Sequence, residues 1–260
     1  MHSINFDDRN TWDDWHLIPS TRPVIAPPQP KVNFIDIPGA DGSLDLTEAL
    51  GRHPNYANRS GSLEFIVGHT GVIDGGYDHT DKQMWAMTYT RITEYIAGRR
   101  IKMVLEDDPE YYYIGRFAVN NWKSDKNWST ITIDYNVEPF KYSIWNSYGE
   151  AEYNPFAVDY YGNLILKDIV VNSAMRKFRL EKDVIGVKAV VPTVTVESNA
   201  GIILRMTNPE RSSNQIQYVF QNGTHVNRDF VFSAYTPGNA VIIEAEGLGK
   251  ISLLFRAGRL

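Results

Sequence analysis

From Thr130 to Val137 apolar and polar side chains alternate without a fault, with Ile131, Ile133, Tyr135 and Val137 on one side and Thr130, Thr132, Asp134 and Asn136 on the other. A period of two is that of a strand with one buried face. The same period runs from Ser62 to Gly68, where Leu63, Phe65 and Val67 alternate with Ser62, Glu64 and one imperfect position, Ile66. Ile101, Met103 and Leu105 alternate up to Asp107-Asp108-Pro109-Glu110, beyond which Tyr111, Tyr113, Phe117 and Val119 carry the pattern onward with Gly115 breaking it. This predicts a hairpin turning at the acidic tetrapeptide. Short strand-like runs, Val32-Asn33-Phe34 and Ile35-Asp36-Ile37, lead into Pro38-Gly39-Ala40-Asp41-Gly42-Ser43, a turn cluster whose glycines accept positive φ.

One segment changes period. Thr80-Asp81-Lys82-Gln83 reads as a capping box with Thr80 as N-cap, and Trp85, Tyr89, Ile92 and Ile96 follow at spacings of four, three and four before Gly98, with Arg99 and Arg100 behind it. A helix from Asp81 to Ala97 is predicted, the one helix of the chain. Residues 19–30 hold five prolines, which fix φ and remove amide donors, so this stretch reads as an extended arm or surface crossing.

From Glu138 to Gly162 the pattern blurs into the irregular composition of a connection, and a boundary near Ser143 divides the chain into residues 1–142 and 143–260. Beyond it short β-rich runs recur at Val190–Val196, Ile202–Met206, Ile216–Phe220, Phe230–Ala234, Ala240–Ala245 and Ile251–Phe255, with Asn222-Gly223 as a primed-hairpin turn. Six or seven short strands without a helix predict a β-sandwich. The fold class is thus mainly β.

At 260 residues, with 43% hydrophobic and 22% charged side chains, the composition is that of a soluble folded protein. The net charge of −5 argues against a general nucleic-acid binder, which concentrates Lys and Arg to neutralise phosphates. The acidic balance lies in the first half: residues 1–142 carry 14 basic and 20 acidic side chains, against 12 and 11 in the rest. No cysteine is present, which removes disulfides, thiolate metal sites and thiol nucleophiles together. The N-terminal Met1-His2-Ser3-Ile4-Asn5-Phe6-Asp7-Asp8 lacks the basic and apolar blocks of a secretory signal, and the most apolar stretch, Ala189–Val196, is far shorter than a bilayer span. A protein made and kept soluble in the cytoplasm is expected.

Candidate chemistry is thin. His2, His16, His53, His69, His79 and His225 lack metal-site spacing. Asp107, Asp108 and Glu110 could pair as acid and base or bind calcium, but Asp-Asp-Pro is also what a hairpin turn favours. Gly68–Gly76 lacks the Lys-Ser/Thr ending of a phosphate-binding loop, and no Gly-x-Ser-x-Gly elbow occurs. Trp122, Trp128, Trp145 and Tyr218 could stack on sugar rings if exposed, or fill cores and subunit contacts. No catalytic, cofactor-binding or metal residue is assigned, and no enzyme is predicted.

The order of motifs does point somewhere. The proline-rich arm runs to Pro30-Lys31, then Ile37-Pro38-Gly39-Ala40-Asp41-Gly42-Ser43-Leu44-Asp45-Leu46-Thr47, then Tyr56-Ala57-Asn58-Arg59 before a strand. The capped helix ends at Gly98, Ile101–Leu105 runs into Asp107–Arg116, and Pro139-Phe140-Lys141-Tyr142 closes the segment. This ordered set resembles the N-terminal domain of the distal tail proteins of bacteriophages with long non-contractile tails. The closing Thr236–Ile243 and Gly247–Arg256 are similar to the last strands of that family's C-terminal domain, a galectin-like or carbohydrate-module-like sandwich.

The resemblance implies an N-terminal β-sandwich-like domain with one helix that assembles as a homo-hexameric ring around the DNA channel, with C-terminal domains projecting outward. It implies a virion protein at the tail tip, made in the host cytoplasm, without cofactors, membrane contact or specific nucleic-acid binding. The implied partners are the tail tube protein, the tail-tip or tail-associated fibre or lysin protein, and receptor-binding proteins. The competing readings are a carbohydrate-binding module or accessory domain for host-surface glycans, and, last, a glycoside hydrolase using Asp107 or Glu110.

Overall fold

The computed structural model describes residues 2–49, 54–67, 81–124, 129–162, 164–172, 175–207, 215–233 and 240–260. Thr80, the Gly68–Gly76 loop, Trp128, the Thr236–Asn239 stretch, and His53, His69 and His79 lie outside the described residues. The chain divides into two compact units, residues 1–141 and 142–260.

The first unit contains β1 (Ile4–Phe6), β2 (Arg9–Asn10), β3 (Leu17–Pro19), β4 (Pro30–Lys31), β5 (Phe34–Asp36), β6 (Ser43–Asp45), β7 (Asn55–Tyr56), β8 (Arg59–Val67), α1 (Asp81–Ile96), β9 (Arg100–Leu105), β10 (Tyr111–Ser124) and β11 (Ser129–Val137). The main sheet runs antiparallel in the order β2-β1-β9-β10-β11-β8-β3. The alternation along β11 sorts as the period requires: Ile131, Ile133, Tyr135 and Val137 are all buried. Leu63, Phe65 and Val67 of β8 are buried beside them. Ile101 and Met103 of β9, with Phe117 of β10, extend the same core.

α1 lays its stripe on this face. Trp85, Ile92 and Ile96 are buried and Tyr89 is half-buried against the cluster, as the spacing predicts. The helix stops where the sequence says it should, with Gly98 at φ 69 in the left-handed region and Ala97 before it at φ 30. The proline-rich stretch is a surface crossing that docks at two points, Pro23 and Ile25, which are buried while Val24 between them is 70% exposed.

The second unit begins in β12 (Lys141–Ser143) and continues with β13 (Ile169–Val171), β14 (Arg176–Glu181), α2 (Lys182–Ile185), β15 (Thr193–Glu197), β16 (Ile202–Thr207), β17 (Ile216–Phe220), β18 (Gly223–Val226), β19 (Ala240–Gly247), β20 (Gly249–Leu254) and β21 (Gly258–Arg259). Two four-stranded sheets, β13-β20-β15-β18 and β14-β19-β16-β17, share one core. Val194, Val196, Ile251 and Leu253 enter it from the first sheet, and Leu204, Met206, Val241 and Ile243 from the second. This is the β-sandwich that the spacing of strands predicts.

Four local expectations are corrected. Asn222-Gly223 does not turn a hairpin: β17 pairs with β16 and β18 with β15, so the chain crosses from one sheet to the other, with Gly223 at φ 117 at the corner. Phe230–Ala234 does not form a strand among its described residues. Only Phe232 makes a bridge, to Val190, while Phe230 and Phe232 fill the core edge to face. Residues 190–192 likewise precede the strand rather than belong to it. The unit also holds a helical turn, α2, closed by Gly186 at φ 82, whose N–H donates to the Lys182 carbonyl over 2.7 Å. A single turn is too short for a periodic signature.

Candidate assembly surface

The turn cluster and its flanking strands build a bare two-stranded ribbon. A stem pairs Pro30 with Tyr56 and Lys31 with Asn55, and farther out Phe34 pairs with Asp45, Ile35 with Leu44 and Asp36 with Ser43. Gly39 at φ 85 and Gly42 at φ 77 make the tip, and the Ser43 hydroxyl donates to Asp36 over 2.5 Å. Every residue from Lys31 to Asp45 is exposed, and five of them are large and apolar: Val32, Phe34, Ile35, Ile37 and Leu44. Because side chains alternate along a strand, Phe34 occupies one face of the ribbon and Ile35, Ile37 and Leu44 the other. A two-stranded ribbon alone is marginal in water, and apolar side chains on both faces need cover.

The root of the ribbon is held firmly. The Ala57 N–H donates to Gln29, and the Asn58 side chain donates to Asn136 over 2.8 Å. Arg59 is 5% exposed; its Nε donates to the Pro139 carbonyl over 2.9 Å, its Nη1 reaches the Ala26 carbonyl at 3.4 Å, and its guanidinium lies over the Tyr113 ring. Burial lowers the pKa of this guanidinium. Arg59 thereby ties the proline-rich crossing and the residues after β11 to the start of β8.

The acidic turn is a clasp. Asp107 accepts from His2 Nδ1 at 2.9 Å and from Arg22 Nε at 2.8 Å, which together hold its carboxyl below the usual range. Asp108 pairs with Lys141 Nζ at 2.5 Å, and Glu106 accepts the Ser3 N–H at 2.7 Å. Burial pushes the Glu106 carboxyl up, but the Ser3 hydrogen bonds outweigh it and the net shift is downward. Glu110 points to solvent. Of the carboxylates singled out in the sequence, Asp107 and Asp108 are engaged with the chain's own cations. Among the described residues no group of three or more His, Asp or Glu side chains is placed to hold a metal.

On the outer face of β8, β11 and β10 the small residues Ser60, Gly61, Ser62 and Ala118 leave an open, mainly apolar trough of about 480 Å³. A Cβ on Gly61 would stand 2.5 Å from the Tyr135 hydroxyl on the core side of the sheet, so glycine there makes room for the Tyr135 ring. Asp134 is taken by the Ser62 hydroxyl at 2.6 Å. One end of the trough carries Arg116, near the end of α1. Arg116 donates to the Gly98 carbonyl over 2.6 Å, Arg99 lies over the Tyr95 ring, and Arg100 pairs with Glu138. Cations suit a helix C-terminus electrostatically. Arg99 also acts on Asp8, whose carboxyl the Tyr95 hydroxyl and nearby arginines hold below its usual range.

Each described aromatic candidate packs on rings of its own unit. Trp122, 50% exposed, packs beside Trp85 and Tyr89 in the first unit. Trp145 stacks on Tyr160, and Tyr218 meets Phe230 edge to face and donates its hydroxyl to the Asp229 carbonyl. The ribbon and the trough are surfaces that the search for chemistry passes over, because neither holds a reactive group.

The chain is similar over its whole length, and over the whole length of the other chain, to the crystal structure of the Dit protein (gp 19.1) of phage SPP1, described as a paradigm of the hub adsorption apparatus in phages that infect Gram-positive bacteria, with a TM-score of 0.60 and 13% identity. At that identity the likeness is one of fold, and it is the fold that the motif order implies. No family model and no curated protein matches the sequence.

Proposed function

We propose that this chain is a structural protein of a phage virion, a distal tail protein whose first unit assembles as a hexameric ring that joins the tail tube to the tip and surrounds the DNA channel. The observation that carries the reading is the full-length fold likeness to a phage hub protein. The bare apolar ribbon supports it, since five large exposed apolar side chains on one ribbon call for a protein partner. The excess of acids in residues 1–142 suits a channel that lets phosphates pass without holding them. The second unit is the surface offered to tip or receptor-binding proteins.

Negative-stain imaging and light scattering of the purified chain, alone and with the tail tube protein, test the proposal. Closed rings with a central hole are expected. A particle that stays monomeric across concentrations in both preparations overturns it.

A further inference from the structure

We infer that Asn222-Gly223 is a self-modification site, at which the folded chain converts the Asn222 amide to a carboxylate without an enzyme or cofactor. It is the only Asn-Gly pair in the sequence, and the hairpin that such a pair favours is not what the chain builds there. Phe220 closes β17 in one sheet and Gly223 opens β18 in the other, so Gln221 and Asn222 between them form a bare corner, both exposed.

The reaction needs an amide carbon within reach of the next residue's backbone nitrogen, and a nitrogen that no side chain screens. Gly223 meets the second condition. Its φ of 117° suits glycine, and the nearest atom to a Cβ built there is His225 Nε2 at 4.0 Å, which donates to the Gln221 carbonyl over 2.8 Å. Asn222 supplies the carbon, and its Oδ1 accepts the Ser198 N–H at 3.2 Å. That N–H is aimed in advance, because the Ser198 hydroxyl is fixed on the Leu248 carbonyl over 2.6 Å. A fixed N–H donor on the oxygen where negative charge develops lowers the barrier to attack at a carbonyl carbon, and attack between adjacent residues needs no encounter.

The step balances with water alone. The Gly223 nitrogen loses its proton and bonds to Asn222 Cγ; the bond from Cγ to Nδ2 breaks, and Nδ2 leaves as ammonia with that proton. Water then opens the cyclic imide, at Cγ to give aspartate or at the main-chain carbonyl to give isoaspartate. Isoaspartate lengthens the main chain by one methylene, just where Val196 pairs with Gly223 to start the β15–β18 ladder. Either product adds a negative charge. Residues 143–260 carry 12 basic and 11 acidic side chains, so this half goes from +1 to neutral. The change therefore acts on both the charge of the second unit and the register of one of its edge strands.

The test holds the purified full chain in neutral buffer and samples it by anion-exchange chromatography and peptide mass spectrometry. An acidic form should accumulate, with ammonia lost at Asn222 and isoaspartate in the same peptide. Asn199-Ala200, exposed in the β15–β16 connection, is the internal comparison: its follower carries a Cβ, and it should stay intact while Asn222 converts. Asn222→Gln, whose longer side chain must close a larger ring, should abolish the acidic form. The chain unfolded in urea separates sequence from structure. Conversion in the folded chain as fast as in urea, or faster, supports the site; slower conversion in the folded chain overturns it. An acidic form that persists in Asn222→Gln, or that maps to Asn199, also overturns it.

Discussion

Replacing Gly115 with alanine tests the account of the central sheet most directly. Gly115 stands opposite Val137 in the β10–β11 ladder and opposite Ile101 in the β9–β10 ladder, in the middle of the sheet. A Cβ built there lies 2.2 Å from the Asn136 carbonyl oxygen and 2.5 Å from the Val137 Cα, where ordinary contacts begin near 3.4 Å. Both clashing atoms are backbone, so no side chain can rotate aside and the strands must part by about 1 Å. Parting them breaks roughly two ladder hydrogen bonds at about 1 kcal/mol each. Overpacking strain in the layer beneath adds about 1–3 kcal/mol. The expected loss is about 3–5 kcal/mol, or roughly 10–17 °C in melting temperature for a unit of this size. Five of the six tryptophans lie in residues 1–141, so fluorescence melts of the full chain at low concentration report this unit. Gly39→Ala is the control: open space surrounds that position and only its φ of 85° is strained, a cost of about 1–2 kcal/mol. A Gly115→Ala shift no larger than that of Gly39→Ala refutes the steric argument.

Trp85→Ala should cost about 3–5 kcal/mol in urea unfolding, because the ring is 6% exposed under α1; a near-neutral midpoint means that the helix face is misassigned. Asp107→Asn should lower the melting temperature at pH 7, where the clasp is charged. Because folding depresses this carboxyl, its contribution is complete above about pH 5 and is lost as the pH falls below about 4, so wild type and variant should converge in acid; a gap that persists at pH 2 contradicts the ionic account. Phe34→Asp with Ile37→Asp should abolish oligomers in light scattering and leave the monomer's melt unchanged, since both side chains are exposed; oligomers that survive the pair place the contact elsewhere.

The first unit is largely legible because its main strands and α1 each bury one face, and a half-buried element writes its period into the sequence. Ile131 to Val137 and Trp85 to Ile96 show this plainly. The second unit hides more. Arg176–Glu181 is an edge strand with only Phe178 and Leu180 apolar, and Ile169–Val171 is three residues long, so neither presents a readable alternation. Phe230 and Phe232 alternate like a strand and are fully buried, yet they fill the core without a ladder. Burial demands apolar side chains whether or not the backbone pairs.

The assembly surface is half legible. The runs before the turn and the Gly39–Gly42 turn itself read correctly, while the returning strand Ser43–Asp45, only three residues long, goes unread. That Phe34 and Ile37 face water cannot be read either, because an apolar side chain destined for a core and one destined for a partner look the same in sequence. The trough could not be read at all. Its residues come from positions 60–62, 98, 116–118 and 134–136, and what defines it is missing bulk.

The clasp at residues 106–108 has a consequence for modularity. Glu106 grips Ser3 and Asp108 grips Lys141, so the two ends of the first unit are fastened to positions two residues apart on one turn. A unit whose entry and exit adjoin can be spliced as a cassette: moving it into another chain asks the recipient to bridge only a short gap, and joining its ends while cutting elsewhere leaves the sheet order intact. Whatever is appended after residue 141 can therefore be exchanged without re-threading the strands that precede it.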